Sequence, residues 1–471
     1  MADPTDRMTD AGRSNGSVVP AADEARAPEE AAAEAADLGR RRFFRQFAGD
    51  LANTAATMMG AAQALQRTSA ELAGAILDPA RAALEAAETD AAAAAATADE
   101  AGPGFRTAFR FDGTAIRFVD QRALPGAVTE HTSRSAAEVT WAIKNDVVLG
   151  GPAIGQAAGL GLAMTAGKVR GSRPYARRAT LRGAAHALTN ASPTHAAVGA
   201  AVRRVKAAYE AVGELNEDGD AIADAMLAAA ERVVADATDD HGRLVEAGLA
   251  VIDGLPRPAN GGPLRLLVHG PSGTLAGGQA GTALAIAIAA HHAEREVRVI
   301  VPEARPGLAG ARVTCWELAA AGVPHLLVAD AAGPSLIASG EVDVVVVPAD
   351  RVTANGDVAA TIGTYPLAVV AARHGVPFIV VAPTSSIDPE TATGADVVIG
   401  MRPPGELDRV GDALVTPRGT ESRVPLHDVT PAELITTWLT ADGPRTPPFG
   451  LSPAAETPIE TPTDTPAEGP A

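Results

Sequence analysis

A carboxylate follows an unbroken apolar run near the middle of the second half of the chain. Residues 344–347 are all valine, and a short β-branched run of this kind predicts a strand buried on both faces of a parallel sheet. Asp350 comes just after it, and ligands bind at the carboxyl edge of open α/β sheets. Asp350 is therefore a candidate for proton transfer or ligand binding, although carboxylates in loops also cap helices.

Two glycine-containing turns are candidates for anion binding. One runs from Gly270 to Gly281 and contains Ser272 and Gly273, between a predicted strand and a predicted helix. The other consists of Gly150, Gly151 and Pro152, and it leads into a second predicted helix. Backbone N–H groups in such turns can hold an anion, but the same sequence also fits a tight turn without a ligand.

Strands that alternate with helices predict the fold that positions these residues. Buried strands are expected at 264–268, 297–301, 325–329, 343–347, 378–382 and 396–399, with helices between them. This order predicts an α/β protein in which a Rossmann-like parallel sheet domain spans 262–442. A helix is expected from about Thr361 to Arg373, and another after the capping residue Thr430. A smaller, mainly helical domain is expected at 105–255.

The two ends of the chain differ from this body. Residues 1–36 contain few large apolar side chains, and disorder is expected there and in the proline- and threonine-rich tail 443–471. Apolar residues recur at helical spacing over 37–77, which predicts an amino-terminal helical extension joined to the body by a linker up to about residue 100. This extension would either pack on the body or bind a partner or a membrane surface.

The bulk composition excludes several functions. The sequence has 39 Lys and Arg against 57 Asp and Glu, a net charge of −18, which argues against a nucleic-acid partner. One cysteine among 471 residues excludes an internal disulfide and fits a reducing cytoplasm. No apolar run reaches the roughly 18 residues that span a bilayer, so no integral membrane contact is expected. No motif indicates a metal or a redox cofactor.

Several motifs together resemble one known family. They are PADRVTANGDVAATIGTYPLAV at 348–369, APTSSID at 382–388, DATDDHGRLVEAGLAVI at 236–252, VPLHDVTPAELITTWL at 424–439, and Asp120-Gln121 followed by Leu124-Pro125. They resemble the methylthioribose-1-phosphate isomerases, whose fold is shared with ribose-1,5-bisphosphate isomerases and with the α, β and δ subunits of eukaryotic initiation factor 2B. The resemblance implies a sugar-phosphate ligand and a homodimer formed through the sheet domain, in which Trp316-Glu317-Leu318 resembles the interface helix.

The resemblance also implies a cysteine and an aspartate that move hydrogen between C1 and C2 of an aldose 1-phosphate. Asp350 stands at the aspartate position, and Asn355 and Asp357 are kept, to bind hydroxyls or to orient Asp350. Gly270 stands at the cysteine position and has no side chain that could carry a proton. Cys315 lies elsewhere, in RVTCWEL, and its surroundings are typical of a small buried apolar residue rather than a nucleophile. His269 is another possible replacement, but strand alternation points it the other way.

Groups expected to hold the phosphate are replaced as well. The family's two arginines correspond to Leu149 and Ser192, its glutamine to Ala309, and its Asn-Lys pair to Ala360-Thr361. Hydrogen bonds to charged groups contribute roughly 1.5–3 kcal/mol each, so these losses should weaken phosphate binding. Two hypotheses follow: a relative that binds a sugar phosphate or nucleotide-type metabolite with its isomerase activity lost or re-purposed, and an active aldose–ketose isomerase that uses Asp350.

Overall fold

The structure of the protein is a computed structural model, and it describes residues 107–410, 413–447 and 449. The sequence predictions for residues 1–100 and for the tail beyond 449 lie outside these residues.

The amino-terminal part of the described chain is a small sheet followed by five helices. The strands β1 (Phe109–Phe111), β2 (Ile116–Val119) and β3 (Glu130–Ser133) form an antiparallel sheet in that order. The helices are α1 (Ala136–Lys144), α2 (Gly151–Val169), α3 (Pro174–Thr189), α4 (Ala196–Val212) and α5 (Gly219–Gly254). The predicted mainly helical character of this part is confirmed.

Helix α2 lies at the centre of the helical part and is built from small residues. All its residues from Gly151 to Thr165 are buried except Pro152. A Cβ atom added to Gly155 would fall 2.7 Å from the carbonyl oxygen of Ala197 in α4. Small side chains therefore let the two helices approach closely, which is how a chain with only 3% aromatic residues fills this core.

The carboxyl-terminal part contains the main sheet. In chain order its elements are β4 (Leu264–Val268), α6 (Thr274–Gly277), α7 (Ala283–His292), β5 (Val297–Pro302), α8 (Cys315–Ala320), β6 (His325–Val328), α9 (Ala332–Ala338), β7 (Val344–Pro348), β8 (Arg351–Val352), β9 (Val358–Thr361), α10 (Thr364–His374), β10 (Phe378–Val381), β11 (Arg409–Val410), β12 (Ala413–Leu414), β13 (His427–Thr430), β14 (Thr437–Thr440) and β15 (Gly443–Arg445).

Seven of these strands form one sheet in the order β15–β14–β10–β7–β4–β5–β6, and every pair is parallel except β14 with β15. Strand β7 lies in the middle. Val344 and Val346 pack toward α5 and α7 on one face, whereas Val345 and Val347 pack toward α9 and α10 on the other. The prediction of a parallel sheet that is covered on both faces is confirmed.

Two predicted elements are wrong. Residues 396–399 form no strand, because Gly394–Asp396 is a 3₁₀ turn and irregular backbone follows. The sixth parallel strand is instead β14, whose Trp438 and Leu439 are both buried. The helix expected after Thr430 is only the 3₁₀ turn Ala432–Leu434, and Thr430 itself ends β13. In this segment, burial in two sheets outweighs a local capping pattern.

Two boundaries also need correction. Helix α10 begins at Thr364 rather than Thr361, since Val358–Thr361 pairs with β13 as strand β9. The tail expected to be disordered from 443 begins with a strand, because β15 pairs with β14. Phe449 then stacks on Trp438 with ring centroids 4.3 Å apart and an interplanar angle of 10°. Burial of this aromatic pair stabilises the start of the tail.

None of the helices within the described residues is both long enough and apolar enough to cross a membrane.

Candidate functional site

Asp350 lies at the carboxyl edge of the main sheet, where the helical part meets it. It follows β7 and lines a cavity of about 790 Å³. Its side chain is buried, and its carboxylate accepts a hydrogen bond from the backbone N–H of Gly151 at the start of α2. Burial raises the pKa of Asp350, while His427 and the Gly151 N–H oppose that rise.

Two histidines flank this carboxylate. The Nε2 atom of His195 lies 3.4 Å from one carboxylate oxygen of Asp350, and the Nε2 atom of His427 lies 3.5 Å from the other. The two imidazole rings meet edge to face, with centroids 5.0 Å apart. Burial lowers the pKa of each histidine to about 4, so both imidazoles are neutral at pH 7.

Local structure fixes each of these side chains. His195 precedes the first residue of α4, and its Nδ1 lies 2.7 Å from the hydroxyl of Ser192. His427 begins β13 and pairs with Thr361 of β9. A Cβ atom on Gly151 would fall 3.1 Å from the His195 ring and 3.4 Å from the Asp350 carboxylate. A glycine at the start of α2 therefore lets both groups approach the helix.

Sequence reasoning did not single out either histidine. The three residues come from the N-cap position of α4, from the loop after β7 and from β13, so no local spacing connects them. The sequence offers one signal for each: His427 lies within the motif VPLHDVTPAELITTWL at 424–439, and His195 follows the replaced arginine position Ser192 by three residues.

Only part of the predicted turn Gly150-Gly151-Pro152 lines the cavity. Gly150 lines it with a φ of +88°, and a Cβ atom there would overlap Ala276 at 2.4 Å. Gly151 contributes its N–H to Asp350. Pro152 lies in the first turn of α2 and lines a separate cavity of about 420 Å³. The turn therefore serves chiefly to start α2 against Asp350.

The predicted turn from Gly270 to Gly281, after β4, contributes only Pro271 to the cavity wall. Gly270 has a φ of +88°, and a Cβ atom on it would lie 2.7 Å from the hydroxyl oxygen of Thr361. Ser272 accepts a hydrogen bond from the N–H of Leu284. These contacts shape the loop, and they put no side chain in front of Asp350.

Gly273, also proposed as a ligand-binding residue, does not line the cavity either. A Cβ atom on it would fall 2.2 Å from a carboxyl oxygen of Glu317. Glu317 is buried on α8 and accepts a hydrogen bond from the N–H of Leu275 at 3.0 Å. Burial raises the pKa of Glu317 to about 7.

Asn355 and Asp357 were expected to bind hydroxyls or to orient Asp350, and the structure places them elsewhere. Neither lines the cavity. The Asp357 carboxylate accepts hydrogen bonds from the N–H groups of Gly394 and Ala432, and Asn355 donates its side-chain N–H to Asp357. The two residues therefore stabilise the turn between β8 and β9 and join it to the backbone at Gly394 and Ala432.

Four of the replaced phosphate-binding positions face the cavity. Leu149, Ser192, Ala309 and Thr361 all line it. The positions at which the resemblance implies phosphate-binding side chains thus lie on the cavity wall, but the residues there lack the expected charged or amide groups.

Five cationic side chains also line the cavity, and three of them already have ion-pair or hydrogen-bond partners. Arg122 pairs with Asp120 at 2.6 Å, Arg402 pairs with Asp146, and Arg312 donates to backbone carbonyls, including that of Leu124. Neither the side chain of Lys144 nor that of Arg305 has a hydrogen-bond or ion-pair partner among the described residues. These two cations are free to meet an anionic ligand.

The remaining candidates for proton transfer lie away from Asp350. His269 is buried, and its Nε2 lies 2.8 Å from the carbonyl oxygen of Ile362. Burial raises the pKa of the Cys315 thiol to about 11, so the thiol stays protonated at pH 7. Cys315 packs against the apolar cluster under the main sheet.

The fold and the site define an α/β protein with a ligand cavity at the edge of its parallel sheet, and comparison with known proteins identifies its family. The model of the "Initiation factor 2 subunit family" matches residues 147–447. The methylthioribose-1-phosphate isomerase of Desulforudis audaxviator is 41% identical over 332 residues, which are 70% of this chain and 92% of that protein.

Solved structures agree. The structure of 5-methylthioribose 1-phosphate isomerase from Pyrococcus horikoshii has a TM-score of 0.62 and 33% identity, over 73% of this chain and 93% of that one. The translation initiation factor eIF-2B, subunit delta, from A. fulgidus has a TM-score of 0.59 and 30% identity, over 73% of this chain and 96% of that one. The chain therefore belongs to the Initiation factor 2 subunit family, and the resemblance inferred from the motifs is confirmed.

The raised pKa of Glu317 predicts a pH dependence of stability. The folded state holds this proton up to about pH 7, whereas an unfolded glutamate, with a pKa of 4.5, loses it earlier. The resulting stabilisation is complete below pH 4.5 and is lost as the pH rises through about 7. The free energy of unfolding of the wild-type protein should therefore decrease between pH 5 and pH 8. Urea unfolding at the two pH values should show that this decrease is smaller in Glu317→Gln by on the order of 2 kcal/mol.

The exposed Glu433→Gln serves as the matched control and should keep the wild-type pH dependence. If the free energy of unfolding decreases equally in wild-type protein and in Glu317→Gln, the proton on Glu317 is not the cause of the pH dependence.

Proposed function

We propose that this protein binds a phosphorylated sugar or nucleotide-type metabolite in the 790 Å³ cavity and does not isomerise it by a cysteine–aspartate route. The observation that carries this proposal is at Gly270, the position where the family resemblance implies the thiol. The backbone there has a φ of +88°, and the hydroxyl of Thr361 occupies the space that a side chain would need. Proton transfer at that point therefore has no group to perform it.

The lining of the cavity supports binding of an anionic ligand, with a lower affinity for phosphate than the resemblance implies. Of the five cations that line the cavity, Lys144 and Arg305 are the two whose side chains have no partner among the described residues. Leu149, Ser192, Ala309 and Thr361 supply few of the donors expected from the resemblance. Two free cations suffice to attract a phosphate, and charge-assisted hydrogen bonds to it are the strong kind.

A second candidate function has one observation in its favour. His195 and His427 place imidazole nitrogens 3.4 and 3.5 Å from Asp350. These groups would form the donor–acceptor pair of an aldose 1-phosphate to ketose 1-phosphate isomerase in which histidine takes the place of the missing thiol. The absence of most phosphate ligands makes this the less favoured function.

The relatives' reaction provides the first test. Purified full-length protein should show no measurable conversion of methylthioribose 1-phosphate, and Gly270→Cys should not create it, because Thr361 blocks the new thiol and the phosphate ligands are still missing. Product formation can be followed by ³¹P NMR. Ordinary turnover that disappears in Asp350→Asn would overturn the proposal in favour of the second candidate function.

Ligand binding provides the second test. In a thermal-shift screen of sugar phosphates and nucleotides, one ligand class should raise the melting temperature, since a ligand at 100 times its Kd stabilises the folded state by about 2.7 kcal/mol. Arg305→Gln should weaken binding of that class about tenfold or more.

Arg298→Gln changes the same charge on an exposed part of β5 and should leave binding unchanged. Equal losses in both variants would show that general electrostatics, rather than the cavity, holds the ligand.

We also propose a homodimer that is formed through the free edge of the main sheet. Strand β6 is the last strand on that side and pairs only with β5 within the described residues. Leu326 and Leu327 on β6 are 40% and 47% exposed. An unpaired edge that carries large apolar side chains is suited to pairing with another chain.

Light scattering tests this proposal. Wild-type protein should have the mass of two chains, and Leu326→Asp/Leu327→Asp should shift it to one chain. The control Leu414→Asp, at another exposed leucine, should remain dimeric. A wild-type monomer, or an edge variant that stays dimeric, would contradict the proposed interface.

A further inference from the structure

Three side chains around Asp350 converge on a common point. His195, Asp350 and His427 are all at least nine-tenths buried. Each offers one ligand atom, and these atoms lie within 4.8 Å of one another. We propose that the three residues form a binding site for one divalent first-row transition-metal ion such as Zn²⁺ or Fe²⁺.

The distances fit an ion between the groups better than direct hydrogen bonds. The two Nε2-to-oxygen separations of 3.4 and 3.5 Å exceed the usual range for a hydrogen bond between nitrogen and oxygen. Two ligands held about 2.1 Å from one ion at a tetrahedral angle are about 3.4 Å apart. The two imidazoles approach different carboxylate oxygens of Asp350. Placing both imidazole nitrogens on one ion at that angle requires them to come to about 3.4 Å from each other, which closes their separation from the present limit of 4.8 Å.

The surroundings hold the ligand atoms in place. Nδ1 of His195 lies 2.7 Å from the Ser192 hydroxyl, so a metal on Nε2 leaves Nδ1–H to donate to that oxygen. Histidine ligands in metal sites are usually oriented by such a second hydrogen bond. Asp350 is positioned by the Gly151 N–H, and His427 by the pairing of β13 with β9.

The charge balance also favours a cation. No lysine or arginine among the described residues forms an ion pair with Asp350. The neighbouring Arg351 directs its guanidinium to Asp388 and to backbone carbonyls at 193 and 194 instead. Buried carboxylates are normally paired or bound to metal ions. A divalent ion would neutralise Asp350 in a part of the cavity that arginine and lysine do not reach.

The donor set selects the class of ion. Two imidazoles and one carboxylate suit zinc and iron(II) in known sites, whereas Mg²⁺ and Ca²⁺ prefer oxygen ligands alone. His195, Asp350 and His427 all line the 790 Å³ cavity. The coordination positions that the protein leaves open therefore face the space where a small oxygen-containing ligand would bind.

Cobalt provides a direct test, because Co²⁺ absorbs visible light when it binds such donors. Full-length protein freed of metal with a chelator should bind one Co²⁺ per chain, and one equivalent of Zn²⁺ should displace it. His195→Gln and His427→Gln should each lower the affinity by more than 100-fold, a larger loss than the roughly 10–100-fold that outer-shell changes cause. Circular dichroism of the metal-free variants establishes that they remain folded.

His292→Gln is the matched control, since His292 lies beside His291 at the exposed end of α7, where an adventitious ion would bind. This variant should keep one Co²⁺ site of wild-type affinity. The proposal is overturned if wild-type protein binds no stoichiometric metal, if both site variants bind as wild type does, or if the site is lost in His292→Gln. No sugar phosphate is present, so the result is independent of the proposed function.

Discussion

The burial of the Asp350 carboxylate is the constraint on which the site depends. A charged carboxylate removed from water is costly unless other groups compensate it. Here one backbone N–H at the start of α2 and two imidazoles are the groups that face it. The helical part and the sheet must therefore meet in one arrangement at this point, because Gly151, His195 and His427 come from three different elements.

Small residues make that arrangement possible. Glycine at 150 and 151 allows α2 to begin directly against Ala276 and Asp350, where a Cβ atom would collide or crowd its neighbours. Gly270 similarly accommodates Thr361. The cavity keeps the shape expected of a ligand site at the edge of a parallel sheet, while Leu149, Ser192 and Ala309 change the chemistry of its wall.

The sequence predicted the sheet well because buried strands leave a strong local signal, as in Val344–Val347. It predicted Asp350 because a strand's carboxyl edge is a general binding place. It fails where tertiary contacts decide: β14 follows a pattern that predicts a capped helix, and Phe449 lies in a segment whose composition indicates disorder. His195 and His427 could not be found by spacing, since only the fold brings them to Asp350.

Anomalous X-ray diffraction at the zinc absorption edge, from crystals of the full-length protein grown with Zn²⁺, tests the central claim most directly. The account predicts one strong peak about 2.0–2.2 Å from His195, Asp350 and His427. A map with no peak there, and with hydrogen-bonded water joining the three side chains, would contradict it.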